Sequence, residues 1–232
     1  MRSGRYTPRR KMRALLSIAL LTLGCASRSA SPPPARPVTP APAQTSAPAE
    51  RVEADEYTLY ELLAPETAQF HILYEVTAIA PGAEVFFNPI RKGSEASGER
   101  VTDRMSGEAV RFEVVSGEEA RRTGLADADL ASDYIRIHLP RPVPPDGGQV
   151  RLLIEKTYKD PKSYFREGDS IVFSRSLGIK RNSVVLPAGY ELTGCNVPSQ
   201  VLSEQDGRIK IAFWNAGPDA APLKLTARKL AP

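Results

Sequence analysis

The chain has 232 residues, with 31 Lys and Arg against 27 Asp and Glu, a formal net charge of +4. Six of those cations (Arg2, Arg5, Arg9, Arg10, Lys11 and Arg13) stand among the first 24 residues, which hold no acid; beyond them 25 cations face 27 acids, a net −2. That balance excludes the basic footprint of a nucleic-acid binder, and two cysteines, Cys25 and Cys195, exclude a disulfide-built fold.

The basic start is followed by an apolar run from Ala14 to Leu23, then Gly24 and Cys25. At ~1.5 Å per residue the run covers roughly 15 Å as a helix, against the roughly 30 Å of a bilayer core. It is too short for a stable span, and the order is that of a secretory signal. The segment Leu21-Thr22-Leu23-Gly24-Cys25 resembles a bacterial lipoprotein signal. That resemblance implies cleavage after Gly24, so that residues 1–24 are signal, and acylation of Cys25. Thr22 stands where the usual pattern has Leu, with Leu21 one place further back. An ordinary secretory signal and a start at Met12 stay open. Ala26, where Asp is the familiar inner-membrane retention signal, favours the outer membrane by the same resemblance. The expected localisation is the cell envelope, facing periplasm or cell surface.

Residues 26–50 contain seven prolines and no large apolar residue beyond Val38. Such a stretch buries too little to offset the entropy of ordering. Together with Cys25 it reads as a disordered tether (25–50), with a reach of roughly 75 Å at ~3.1 Å per residue.

From Arg51 the texture is β. Strands are predicted at Tyr57 to Leu62, Phe70 to Thr77, Glu84 to Phe87, Val110 to Val115, Tyr134 to Leu139 and Val150 to Ile154. More follow at Ile171 to Phe173, Ser183 to Leu186, Tyr190 to Val197, Val201-Leu202, Arg208 to Trp214 and Leu223 to Ala227. Turns fall at Pro81-Gly82, at Pro144 to Gly148 and at Asp206-Gly207. Gly117 to Leu130 is the one short helix candidate. Strands at this spacing predict an all-β antiparallel sandwich over 51–232. It is either one continuous domain or two stacked small modules with a seam near 160–169.

Three segments, Tyr74-Glu75-Val76-Thr77, Tyr134 to Pro140, and Val150 to Tyr158 running on to Asp160, are similar to the N-terminal β domain of gluzincin (M1-type) aminopeptidases. The resemblance spans Tyr57 to about Pro198 and implies a sheet that flanks a catalytic domain. H-E-x-x-H, which would place a zinc pair and a general base on one helix face, is absent from the sequence. Only the accessory role transfers, by analogy.

No catalytic set, metal site or cofactor motif is read. His71 and His138 lie far apart in sequence, on the non-aliphatic sides of their strands, whereas catalytic zinc takes three protein ligands. Cys195 stands in an apolar context and reads as a buried, inert thiol. The candidate ligand surface is the segment carrying Lys156, Tyr158, Lys159, Lys162, Tyr164 and Arg166, joined by Lys180 and Arg181. Read as a loop, it offers ammonium groups to an anionic glycan, a peptidoglycan stem or a lipid phosphate, and aromatic faces to apolar surfaces. The bland alternative is a solvated connector with its aromatics turned inward. The functional expectation is a lipid-anchored, non-catalytic binding or accessory module of the bacterial envelope. Its partners would be the membrane through Cys25, and an envelope protein or anionic glycan. An enzyme using a metal or Cys195, and a structural subunit of an envelope assembly, are the competing classes.

Overall fold

A computed structural model describes residues 54–231; the signal, Cys25 and the Pro/Ala tether lie outside the described residues. The described strands are β1 (Tyr57–Leu62), β2 (Gln69–Ala78), β3 (Val85–Pro89), β4 (Glu95–Asp103), β5 (Phe112–Ser116), β6 (Asp133–His138) and β7 (Val150–Lys159). They continue as β8 (Tyr164–Glu167), β9 (Ser170–Leu177), β10 (Arg181–Val185), β11 (Tyr190–Cys195), β12 (Gln200–Ser203), β13 (Ile209–Trp214) and β14 (Ala221–Lys229). One short helix, α1 (Gly117–Arg122), follows β5.

These strands form three sheets. The largest has seven strands in the order β12-β13-β10-β1-β2-β7-β4; a second runs β11-β14-β9-β8, and a third β3-β6-β5. The all-β class is as expected, and the pairings are antiparallel except one: β1 and β10 run parallel, Tyr57 opposite Arg181. A parallel neighbour needs a long crossover, and here β2 to β9 intervene in sequence. β10 and β13 therefore join the sheet of β1, β2 and β7, so strands from both sides of residues 160–169 share one sheet. Residues 168–169 form the turn of the β8–β9 hairpin, with Gly168 at φ 60°.

Alternation places the core. In β2, Phe70, Ile72, Tyr74 and Val76 are buried, and in β1 Tyr60 and Leu62 lie on the same face. Phe173 of β9 meets Tyr60 and Phe70 at ring-centroid distances of 5.6 and 5.3 Å, and Asn88 of β3 reaches Lys156 of β7. Both smaller sheets thus cover the same face of the large one. The far face of β3-β6-β5 holds a separate small cluster of Ala120, Ala128 and Tyr134.

The helix is shorter than the predicted Gly117 to Leu130. Ser116 caps it, its Oγ accepting from the Glu119 amide at 3.2 Å, and it ends at Arg122. Within the predicted span Ala120 is buried while Leu130 is exposed. Gly117 packs so closely that a Cβ there would stand 2.1 Å from the Asp129 carbonyl oxygen.

Candidate functional site

β7 carries the decisive alternation. Val150, Leu152, Ile154, Lys156 and Tyr158 all point inward and are buried. Four of these are what a half-buried strand requires; Lys156 occupies an apolar slot and is 4% exposed. On one side it pairs with Ile72 of β2, which in turn pairs with Tyr60 of β1. On the other side β4 jumps register: Ser97 pairs with Thr157 and Arg100 with Glu155, leaving Gly98 and Glu99 opposite Lys156. That is a β-bulge, and Gly98, at φ 66°, supplies the left-handed residue such a bulge uses.

Above Lys156 the two smaller sheets part and leave a cavity of ≈ 410 Å³, within the roughly 300–1,000 Å³ typical of ligand pockets. Its floor includes Tyr60, Ile72, Lys156 and Tyr158 of the large sheet. Asn88 and Pro89 of β3 form one wall, and Arg175 to Leu177 of β9 another. The exposed Arg91 and Lys92 follow β3 at its mouth.

Four cations line this cavity, and among the described residues no Asp or Glu does. Two of the four are neutralised by acids behind them. Arg175 Nη1 lies 3.3 Å from Asp160 Oδ2, its guanidinium 5.3 Å from the ring centres of both Phe70 and Tyr158. Lys92 Nζ lies 2.7 Å from Asp129 Oδ2. Burial pushes the Asp160 carboxyl up, but hydrogen bonds from Ser163 and Ser94 and the charge of Arg175 outweigh it and hold the group below its ordinary range. The other two cations have neutral partners. Arg91 Nη1 donates to the Ser176 carbonyl at 3.2 Å, and its amide donates to the Tyr158 hydroxyl oxygen at 3.2 Å. Lys156 Nζ donates to Asn88 Oδ1 at 2.5 Å and sits 5.0 Å from the Tyr158 ring centre.

The electrostatics follow from burial. Desolvation, then repulsion from Arg175, lower the Lys156 pKa from 10.5 to about 8, with Glu99 acting weakly the other way. Burial pushes the Tyr60 and Tyr158 hydroxyls up, so both stay neutral phenols. Burial also raises Glu56, just before β1, a shift partly offset by its hydrogen bond to Tyr74. The result is a pocket of ammonium, guanidinium and phenol donors with apolar faces between them, a set suited to holding an anion.

The predicted ligand surface is dispersed by the fold. Lys156, Tyr158 and Lys159 belong to β7, and Tyr164 and Arg166 to β8, rather than to a loop. Lys156 and Tyr158 reach the cavity. Tyr164 is buried, its hydroxyl donating to the Leu63 carbonyl at 2.9 Å. Lys159 is exposed and pairs with Glu95 at 3.6 Å. Lys162 and Arg166 are exposed, and the Lys162 amide donates to Asp160 Oδ1 at 3.1 Å. Lys180 is exposed; Arg181 bonds Asp55 and the Glu56 carbonyl. Lys180 and Arg181 line a different hollow, with Trp214.

Arg175, Asn88, Arg91 and Tyr60 were not singled out from sequence. Arg175 carried a legible signal, since Ile171, Phe173, Arg175 and Leu177 alternate as Ile154, Lys156 and Tyr158 do, with a cation in an inward slot.

Cys195 is half-buried rather than buried, its thiol donating to the Val197 carbonyl at 3.4 Å. His138 has a defined tautomer: Arg111 can only donate to its Nδ1 (3.1 Å), so Nε2 carries the proton and donates to Glu113 at 2.7 Å. Among the described residues no cluster of three or more His, Cys, Asp or Glu is arranged to hold a metal ion.

No protein-family model matches the chain, and no curated protein matches it in sequence. Among solved structures it is similar to the M1 zinc metallopeptidase of Deinococcus radiodurans, at 14% identity over 75% of this chain and 42% of that one, with a TM-score of 0.46. A mutant of that peptidase bound to a Tyr-Ser-Ala substrate matches at 14% identity over the same shares, with a TM-score of 0.47. The chain spans less than half the length of those peptidases.

Proposed function

We propose that this protein is a lipid-anchored, non-catalytic binding or accessory module of the bacterial cell envelope. Acylated Cys25 would hold it at the outer membrane, and residues 26–50 would carry the β domain away from the bilayer. Each buried CH₂ of an acyl chain contributes about 0.8 kcal/mol, so two or more chains give lasting attachment without a spanning helix. The observation that carries the binding role is the cavity over Lys156, whose described lining holds four cations and no acid. It makes a small ligand, or a terminal group of an anionic glycan, the expected cargo.

Fractionation tests the anchor. The native chain should sediment with membranes and begin at an acylated Cys25 by intact mass; Cys25→Ser should move to the soluble fraction. A Cys25→Ser chain that stays membrane-bound, with the same processed mass, refutes the anchor. For the non-catalytic reading, any turnover found with envelope substrates and lost on chelation, or on Cys195→Ala, is the refuting result.

A structural-subunit reading is favoured by one observation. β12 ends the large sheet, all four of its residues are exposed, and they include Val201 and Leu202. A strand-adding partner would use such an edge. Cross-linking in intact cells should then capture one stoichiometric protein, while recovery of an uncross-linked monomer counts against it.

A further inference from the structure

Lys156 is the least expected residue in the domain. A lysine ammonium has three donors, and here one is used, on the neutral Asn88 Oδ1 at 2.5 Å. Among the described residues no carboxylate lies within ion-pair distance of it, although Arg175 and Lys92, on the same cavity, each have one. Buried charges are ordinarily paired, and neither the amide oxygen nor the Tyr158 ring supplies a countercharge. The amine is not buried by accident of a flexible stem. The β7 register turns it inward between Ile154 and Tyr158; across the Gly98-Glu99 bulge of β4, Glu99 acts on its charge through space but makes no ion pair with it. Arg91, the second cation with no described acid partner, stands at the mouth of the same space.

We propose that this cavity binds a small organic anion: its charged oxygen group rests on Lys156, Arg91 closes over it at the mouth, and its apolar body lies against Tyr60, Ile72 and Tyr158. The proposal rests on the binding-module reading and names the ligand class for it. Carboxylates and phosphate monoesters share the oxyanion chemistry that ammonium and guanidinium groups recognise. A neutral molecule of the same shape leaves the Lys156 charge uncompensated and gains only the apolar contacts.

Titration calorimetry on the full chain carrying Cys25→Ser, near pH 7, separates these cases. The probes are 3-phenylpropionate, phenyl phosphate and the neutral 3-phenylpropanamide. At least one of the two anions should bind saturably at one site, and more tightly than the amide; which of them binds more tightly identifies the head group. Lys156→Met, which keeps the length of the stem and removes the charge, should weaken anion binding at least about tenfold, the loss expected for one hydrogen bond to a charged group. Its thermal unfolding midpoint should lie at or above that of the parent, which shows that the loss is not unfolding; Lys156→Gln serves as a second neutral variant. If the amide binds as tightly as the acids, or if Lys156→Met binds the anions undiminished, the ligand class is wrong while the binding role stands. If none of the three probes binds up to about 10 mM, a free energy weaker than roughly −3 kcal/mol, both the ligand class and the cavity-based binding role are overturned.

Discussion

Replacing Lys156 with Met should stabilise the protein, an unusual outcome for a core substitution. The ordinary Lys pKa is 10.5 and the folded value about 8, lowered by burial and then by Arg175. At pH 7 both folded and unfolded chains carry the proton, so the cost of burying the charge is present in full, about 3 kcal/mol at ~1.4 kcal/mol per pH unit. Met removes that cost and keeps the apolar stem. It also leaves Asn88 Oδ1 without its donor, which costs about 1 kcal/mol. The net expectation is about 2 kcal/mol of added stability at pH 7, and a midpoint about 4–8 °C higher for a domain of this size. The sign of the pH dependence is fixed as well. Between about 8 and 10.5 the unfolded wild type binds more protons than the folded one, so its stability rises with pH through that window. By pH 9.5 the remaining cost of the charge is about 1.5 kcal/mol, and the advantage of Met should shrink to under about 1 kcal/mol. The difference between variant and parent cancels the titration of groups distant from Lys156. Urea denaturation of both chains at pH 7 and pH 9.5 reads the four free energies. A Met variant less stable than wild type at pH 7, or an advantage that does not change with pH, would refute the argument that this is a charge held in the core at a cost.

Other perturbations test the remaining packing. Phe70 is fully buried among Tyr60, Tyr158 and Phe173, so Phe70→Ala should cost about 3–5 kcal/mol in urea denaturation; a cost below about 1 kcal/mol would mean the sheets do not meet there. Gly117→Ala drives a Cβ to 2.1 Å from the Asp129 carbonyl oxygen, and the backbone shift it forces should lower stability by about 2 kcal/mol or more; a neutral effect would contradict that close approach. Asp160→Ala leaves Arg175 buried without its carboxylate, with an expected loss of about 3–5 kcal/mol. Asp160→Asn, which can still accept from Ser163 and Ser94, should lose less than Asp160→Ala by the same assay.

Strand content was readable where alternation was clean. β1 is Tyr57–Leu62 in both the sequence reading and the structure, and β2 differs by a residue at each end. Two strands went unread for identifiable reasons. β4 contains Gly98 and a register shift opposite Lys156, so no period of two runs through it. β8 has four residues, too few to show a period. The stretch from Lys156 to Arg166 was misread because its charges and tyrosines resemble a loop by composition. Continuing the alternation from Val150 would have carried Lys156 and Tyr158 inward and left Lys159 outside, as observed.

The amino-acid order alone determined the all-β class, most strand positions and, where the alternation was clean, which residues turn inward, because side-chain direction along a strand is a local property with a period of two. The same alternation, carried through β7 and β9, puts Lys156 and Arg175 in apolar slots, although the loop-like composition around Lys156 hides it. What only the tertiary structure decided is the meaning of those slots. Asp160 lies opposite Arg175, while Asn88, 68 positions from Lys156 in the chain, offers it an uncharged oxygen. The parallel placement of β10 beside β1 and the gap between the two smaller sheets come from which surfaces meet, and no local pattern encodes that.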